Sequence, residues 1–322
     1  MIKTVIRLCS TALLATSVGM AGAATFPERA IKVVTPFPAG GATDVLTRVV
    51  TERMGQILGQ SMIVENRAGA ATTIGASYAA REKADGYTVL MATNSTLVTN
   101  RFLFKELSYD PDSFEPIGMI GIGPMILLTN DKHNFNSTAD VVKYAKAHPR
   151  ELSIASFGAG TSSHLAAEYF QQLADVQMLH VPFKGSTQAL PQLVNGDVDL
   201  FFDMVSTGMP QVNSGKLKAL AITSKKRLST LPQLPALAEE GYDNFEITAW
   251  FSLVAPQGTP PSVLATLQKA LQATLQDETV VQKILNMGIQ PSDGSPDSLV
   301  KQIRTEIPVI EALVKQADIA VQ

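Results

Sequence analysis

The sequence predicts an α/β protein of two lobes. Each lobe is a mixed, mainly parallel sheet flanked by helices, and two chain crossings form a hinge between them. Three observations carry this. Strand-like and helix-like segments alternate from Ile31 to Ala92, an order that implies parallel strands with right-handed crossovers. The alternation breaks over residues 105–124 and restarts at Met125. A long apolar strand over Ile247–Ala255 then precedes a final helical section. The expected layout is a signal segment at 1–23, a first lobe at 24–122 plus 246–322, and a second lobe at 123–245.

In the first lobe, Ile31–Thr35 reads as a strand and Asp44–Gly59 as a helix, with Val45, Val49, Met54 and Leu58 near helical spacing. Met62–Glu65 is a strand, Thr73–Lys83 a helix with a threonine start, and Tyr87–Ala92 a strand that feeds the polar turn Thr93–Thr96. In the second lobe, strands are expected at Met125–Thr129, Leu152–Ser156, Met178–Pro182, Leu200–Asp203 and Leu217–Thr223. Helices are expected at Ser137–His148, Ser163–Ala174, Ser186–Asn195 and Met209–Ser214. After Ile247–Ala255 come helices over Ser262–Leu275 and 300–318.

Two glycine-rich turns stand out, each between a strand and a helix. The first runs from Thr35 to Asp44 and holds Gly40-Gly41; the second runs from Ser156 to His164 and holds Gly158-Ala159-Gly160. A helix N-terminus presents unpaired N–H groups and partial positive charge, so it suits an anion. Glycine lets a bound group approach the backbone. In parallel sheets ligands sit at the carboxyl ends of strands, where these turns and the turn at 93–96 fall. Two such turns in two lobes point to a cleft that grips a small anion from both sides, with closure about the hinge.

The chain has 322 residues with 26 Lys+Arg and 29 Asp+Glu. Lys3 and Arg7, the apolar stretch Leu8–Gly19 and Ala21-Gly22-Ala23 read as a cleaved secretory signal and not a membrane span, since the stretch is too short. The mature chain is expected to be exported. The single cysteine, Cys9, lies in that signal, so the mature chain carries no disulfide framework. It precedes most of the apolar stretch, which argues against lipidation. Without Lys3 and Arg7 the balance is 24 against 29. A net negative chain with no basic run argues against nucleic acid. Any anion must be held by local geometry.

Rival chemistries find little support. Neither turn ends as a P-loop, and Gly158-Ala159-Gly160 lacks the third glycine of a dinucleotide fingerprint. No G-x-S-x-G elbow marks a hydrolase, and no H-E-x-x-H or clustered Cys/His spacing marks a metal site. No cofactor is expected. His164, one turn into a helix, either donates to a ligand or caps and packs. His133 and His148 read as solvated, and His180 as a strand residue of the core. Lys184, at the third turn Lys184-Gly185-Ser186-Thr187, offers a positive charge near the cleft or a solvated one. Asp203 closes the apolar run Leu200-Phe201-Phe202 and is either a cap for the next helix or a polar contact in the cleft. Phe37, Phe157 and Phe202 are candidates to bracket an aromatic ring.

Taken in order, these motifs resemble one family. Residues 31–44, Val64–Gly69, Asp85–Leu90, Gly158–His164, Val181–Gly185, Gly196–Asp203 and Ala255–Pro260 are similar to the receptors of tripartite tricarboxylate transporters, the Bug family. The resemblance covers essentially the whole chain after the signal. It implies a type II-like periplasmic binding protein, a monomer that closes on a small aliphatic or aromatic carboxylate. The receptor would deliver that acid to the membrane subunits of the transporter. It also implies a carboxylate held by backbone N–H groups at Phe37, Ala39, Gly40 and Gly41 and at Gly160, Thr161 and Ser162. The side chains implied are those of Asn94, Ser95, Thr96 and Asp203; His164 and Lys184 complete the candidate set. Catalytic residues and metal ligands are not expected. Two other classes stand as alternatives: a ligand-sensing partner of a membrane sensor kinase, and an exported hydrolase of carboxylic acid derivatives. Where many relatives have Arg-Pro-Gly-Ala-Gly-Gly, this chain has Arg67-Ala68-Gly69-Ala70-Ala71-Thr72, which predicts a stiffer helix start.

Overall fold

The computed structural model describes residues 26–316; the expected signal and the last six residues lie outside them. The first half opens with β1 (Ile31–Thr35), α1 (Ala42–Leu58), β2 (Met62–Asn66), α2 (Thr73–Ala80) and β3 (Thr88–Thr93). A π-helical turn over Ser95–Thr99 follows and leads into α3 (Asn100–Leu103). Then come β4 (Phe114–Thr129), α4 (Thr138–Ala147), β5 (Ser153–Ser156), α5 (Ser162–Ala174), β6 (Leu179–Pro182), α6 (Ser186–Asn195), β7 (Leu200–Met204), α7 (Val205–Asn213) and β8 (Lys218–Ile222). The chain ends with β9 (Thr248–Pro256), α8 (Pro261–Thr274), α9 (Glu278–Asn286), β10 (Gln290–Pro291) and α10 (Pro296–Gln316).

The strands line up as β2-β1-β3-β9-β4-β7-β5-β6, with β8 and β10 also on β4. The outer strands of each half are parallel, as the βαβ order requires, while β4 and β9 insert antiparallel at the centre. β1 is buried on both faces, with Ile31, Val33 and Val34 fully enclosed; a parallel strand covered by helices on both sides needs such a run.

β4 is the strand the sequence hid. Residues 105–124 read as a broken stretch, yet Phe114–Pro124 pairs with β9 in the first sheet and Met125–Thr129 pairs with β7 and β8 in the second. Pro116, Gly118, Gly121, Gly123 and Pro124 mask its strand character. They are tolerated because the ladder shifts register twice there, and bulges accommodate such residues. At the changeover Thr223 holds three backbone partners. Its N–H donates to the Met125 carbonyl (2.9 Å), its hydroxyl accepts from Met125 N–H (2.8 Å), and its carbonyl accepts from Ile247 N–H (3.2 Å).

Two further differences matter. The expected polar turn at 93–96 is helical from Ser95 onward. α9 was not foreseen, although Asp277 caps it through its carboxylate to the N–H groups of Thr279 and Val280, a readable start signal. The core is mostly aliphatic, but its largest enclosed side chains are aromatic: Trp250, Phe170, Phe201, Phe202, Phe245 and Phe251. Phe202 packs against Phe170 and Phe245, so it is a core residue and does not bracket a ligand.

Candidate functional site

Between the two sheets lies a cleft with about 470 Å³ of empty space, its mouth included. Among the described residues that line it there is no Lys, Arg, Asp or Glu. What it presents instead is helix N-termini. Gly41, Ala42 and Thr43 line it from the start of α1, Thr161 and Ser162 from α5, and Gly185 and Ser186 from α6. None of the three helices has a side-chain cap on its N-terminal N–H groups. Three open termini aimed at one space concentrate partial positive charge without any cationic side chain. Thr93 Oγ1, buried and without a partner, adds a free hydroxyl on the first-lobe side. Phe37, Phe157, Met204, Ala249 and Phe251 supply the apolar lining.

Each turn is braced from behind. In the first, Gly40 N–H donates to Asp44 Oδ2 (2.9 Å), which also accepts from Arg48 Nε (3.0 Å). Asn66 Nδ2 donates to Asp44 Oδ1 (2.9 Å) and to the Phe37 carbonyl (3.0 Å). Burial opposes the Asp44 charge, but the bonds from Arg48, Gly40 and Asn66 outweigh it and hold the carboxyl below its usual range. In the second turn, Gly160 N–H donates to His164 Nδ1 (3.1 Å). The His164 ring stacks on His180 at 4.0 Å, and His180 Nε2 meets Ser156 Oγ at 2.6 Å. Burial, then the neighbouring His164, pushes the His180 pKa down to about 4.

The third terminus is braced by Asp203. This residue is fully enclosed and does not reach the cleft. Its Oδ1 accepts from Ser186 Oγ (2.5 Å), while Oδ2 is buried without a partner. Burial raises its pKa to about 7. Ser186 itself lines the cleft, and Asp203 fixes it from below.

The lobes touch across the cleft. A Cβ on Gly160 would lie 2.8 Å from Leu103 Cδ1, and one on Gly185 would lie 3.1 Å from Pro38 Cδ. Both glycines have positive φ, +83° and +149°, so both conformation and clearance require glycine. Ser162 Oγ donates to Asn94 Oδ1 (3.0 Å), joining the start of α5 to the end of β3. The structure is therefore a closed form.

Of the expected site residues, Phe37, Gly41, Asn94, Ser95, Thr161 and Ser162 line the cleft, and Ala39, Gly40, Thr96, Gly160, His164, Lys184 and Asp203 do not. The N–H groups of Gly40 and Gly160, expected to face a ligand, are occupied by Asp44 and His164. Thr96 is buried with its hydroxyl on Thr72 Oγ1 (3.1 Å). Lys184 lies exposed in an adjoining groove that shares Phe37, Phe157 and Thr161 with the cleft. His133, read as solvated, contacts Asp199 Oδ1 (3.1 Å) and stacks on Phe135. Thr43, Thr93 and Ser186 also line the cleft; they lie in turns that the sequence marks, but they are not among the candidate ligand residues. Ser186 carried the same signal as the others, a helix start after glycine.

The fold is that of two-lobed α/β binding proteins. A solved structure of Rpa4515 from R. palustris, with adipate, is 35% identical, covering 92% of this chain and 99% of that one at a TM-score of 0.89. The periplasmic binding protein BugD is 35% identical over 92% of this chain and 100% of its own, at 0.88. MatC from Rhodopseudomonas palustris, with bound malate, is 32% identical over 90% and 100%, at 0.84. The family model described as tripartite tricarboxylate transporter family receptor matches residues 46–319. The chain belongs to that family.

Proposed function

We propose that this protein is a periplasmic solute-binding receptor that captures a small organic carboxylate between its lobes. It then delivers the acid, as a monomer, to the membrane subunits of a tripartite tricarboxylate-type transporter. The observation that carries the reading is the convergence of three uncapped helix N-termini on a cleft without charged side chains. Each terminus contributes about 0.3–1 kcal/mol toward an anion, up to about 2 when partly buried. Three of them, with charge-assisted hydrogen bonds and water excluded on closure, suffice for a ligand near the micromolar range, about 8 kcal/mol. Adipate and malate in related structures support a carboxylate. The ligand N–H donors are then those of Ala42, Thr43, Ser162 and Ser186, with the hydroxyl of Thr93 beside them. The lobe boundaries near 122/123 and 245/246 are supported by the change of sheet within β4 and by the return through β9.

The test is a thermal-shift and calorimetric series with adipate, malate, benzoate and the neutral adipamide. Binding to the closed form raises apparent stability. At least one acid should raise the midpoint by several degrees while adipamide does not. Equal shifts with adipamide, or none with any acid, would overturn the reading.

A further inference from the structure

The cleft wall at Asn94 is anchored from behind by a residue 212 positions away in the chain. Asn94 Nδ2 lies 3.4 Å from Glu306 Oε1 on α10 and 3.3 Å from the Thr248 carbonyl at the start of β9. Glu306 Oε2 accepts from the Trp250 indole N–H and from Gln302 Nε2 (3.2 Å). The carboxylate therefore sees only donors, and it is a half-buried acid whose pKa is pushed up by burial against those three bonds. An asparagine amide is two-faced: one end donates and the other accepts. With its nitrogen claimed by Glu306 and Thr248, the oxygen of Asn94 must face the other way, and there it accepts from Ser162 Oγ (3.0 Å). Ser162 opens α5, on the opposite wall of the cleft. The run Trp250–Glu306–Asn94–Ser162 thus ties the C-terminal helix to the far wall.

We propose that Glu306 is a positioning residue for the cleft: by holding the Asn94 amide nitrogen it orients the Asn94 oxygen for Ser162, and so supports the hydrogen bond that closes the lobes. The proposal rests on the reading that ligand binding requires closure. Glu306 touches no ligand and lines no part of the cleft. A glutamine at this position has the same shape but carries an amide, whose nitrogen would face the Asn94 or Trp250 donors. The amide of Asn94 then loses its reason to keep its orientation, and Ser162 loses its acceptor for part of the time.

Because the effect passes through Ser162, it must vanish when Ser162 lacks its hydroxyl, which a merely structural role for Glu306 would not produce. The experiment uses Glu306→Gln, Ser162→Ala and the double variant. Each is made in the full chain with Cys9→Ser, Gln56→Cys and Gln172→Cys; the last two positions are exposed on α1 and α5. Spin labels on that pair report the distance between lobes with no ligand present, and adipate affinity is measured by calorimetry. The expected result for Glu306→Gln is a larger long-distance population and adipate binding weaker by about tenfold, the scale of a lost charge-assisted hydrogen bond. In the Ser162→Ala background Glu306→Gln should change neither readout further. An unchanged distance distribution in Glu306→Gln, or an equal shift in both backgrounds, overturns the proposal. If Glu306→Gln does not fold, Ser162→Ala with the conservative Glu306→Asp gives the same cycle, since the shorter acid cannot reach Asn94. Should the parent chain fail to bind adipate while the distances respond as expected, the relay stands and adipate as ligand falls.

Discussion

The two glycine turns face each other across one cleft and are held by unlike means. The first is braced by an ionised carboxylate, Asp44, within a net of Arg48, Asn66 and the backbone of its own turn. The second is braced by a ring nitrogen of His164, whose imidazole stacks on a second imidazole. An acceptor carboxylate serves its purpose at any pH above the acidic range. An imidazole acceptor serves only while its Nδ1 is bare, because a protonated ring donates from both nitrogens. One wall is thus fixed by charge and the other by a tautomer. The packing differs as well. A Cβ on Gly40 would meet only Thr187 Cγ2 at 3.8 Å, whereas one on Gly160 would press on the buried Leu103 of the other lobe at 2.8 Å.

The largest effect should come from the ionic brace. Asp44→Ala removes the acceptor of three donors, and losing a partner of buried charged hydrogen bonds costs about 2–4 kcal/mol. Urea unfolding should show this loss; a change below about 0.5 kcal/mol would mean the first turn holds itself. Next is Gly160→Ala. Both Gly40 and Gly160 have positive φ, +79° and +83°, so alanine strains either turn by about 1–2 kcal/mol. Only Gly160→Ala also obstructs closure. Its affinity for whichever acid stabilises the parent chain should fall about tenfold to a hundredfold below that of Gly40→Ala, by the cost of overpacking, and Leu103→Ala should restore part of it. Equal affinities for the two glycine variants would erase the packing contrast.

Acid should then separate the two walls. His180 falls from the usual 6.5 to about 4, so between those values the unfolded chain binds the proton and the folded one does not. Stability from this group falls as pH drops from about 6.5 to 4. Asp203 is displaced the other way, from 3.8 to about 7: the folded chain holds the proton, and this contribution is lost as pH rises through about 4 to 7. Asp44, with its lowered pKa, loses its contribution only as pH falls below about 4. Melting temperatures from pH 4 to 8 should show His180→Gln flattening the acid-side decline and Asp203→Asn flattening the decline toward pH 8. Parallel curves for both variants and the parent would contradict this assignment.

The smallest effect belongs to the helix start at 70–72. Ala70, Ala71 and Thr72 all have positive φ, at 44°, 48° and 77°, a left-handed run that glycine adopts freely. Asn100 Nδ2 holds it through the Ala71 carbonyl at 2.8 Å. Ala71→Gly should therefore gain stability of about 1 kcal/mol or less, the relief of φ strain minus the added unfolded-state entropy. A loss instead would show that Ala71 packing outweighs the strain.

Much of this was legible in the sequence, because strand–turn–helix order and glycine placement are local signals. Val33-Val34 before Gly40-Gly41, and Ile154-Ala155 before Gly158, located both turns. What stayed hidden depends on distance in the chain. β4 looks broken because its glycines and prolines are accommodated by strands that arrive more than a hundred residues later. Asp203 marked the right neighbourhood, but only the fold shows that it stands behind Ser186. The occupation of the Gly40 and Gly160 N–H groups by Asp44 and His164 turns on side-chain direction, which a residue pattern does not encode. Four residues on, both braces were nonetheless within sight on paper.

The placement of α10 has a consequence for the order of assembly. Asn94 and Glu306 are 212 positions apart, so the carboxylate behind the wall that faces Ser162 arrives only when α10 packs. Contacts of such sequence separation form late and slow the search for the native state. The early βαβ units can thus form before the pocket is complete, and its wall is finished by a helix that is remote in sequence.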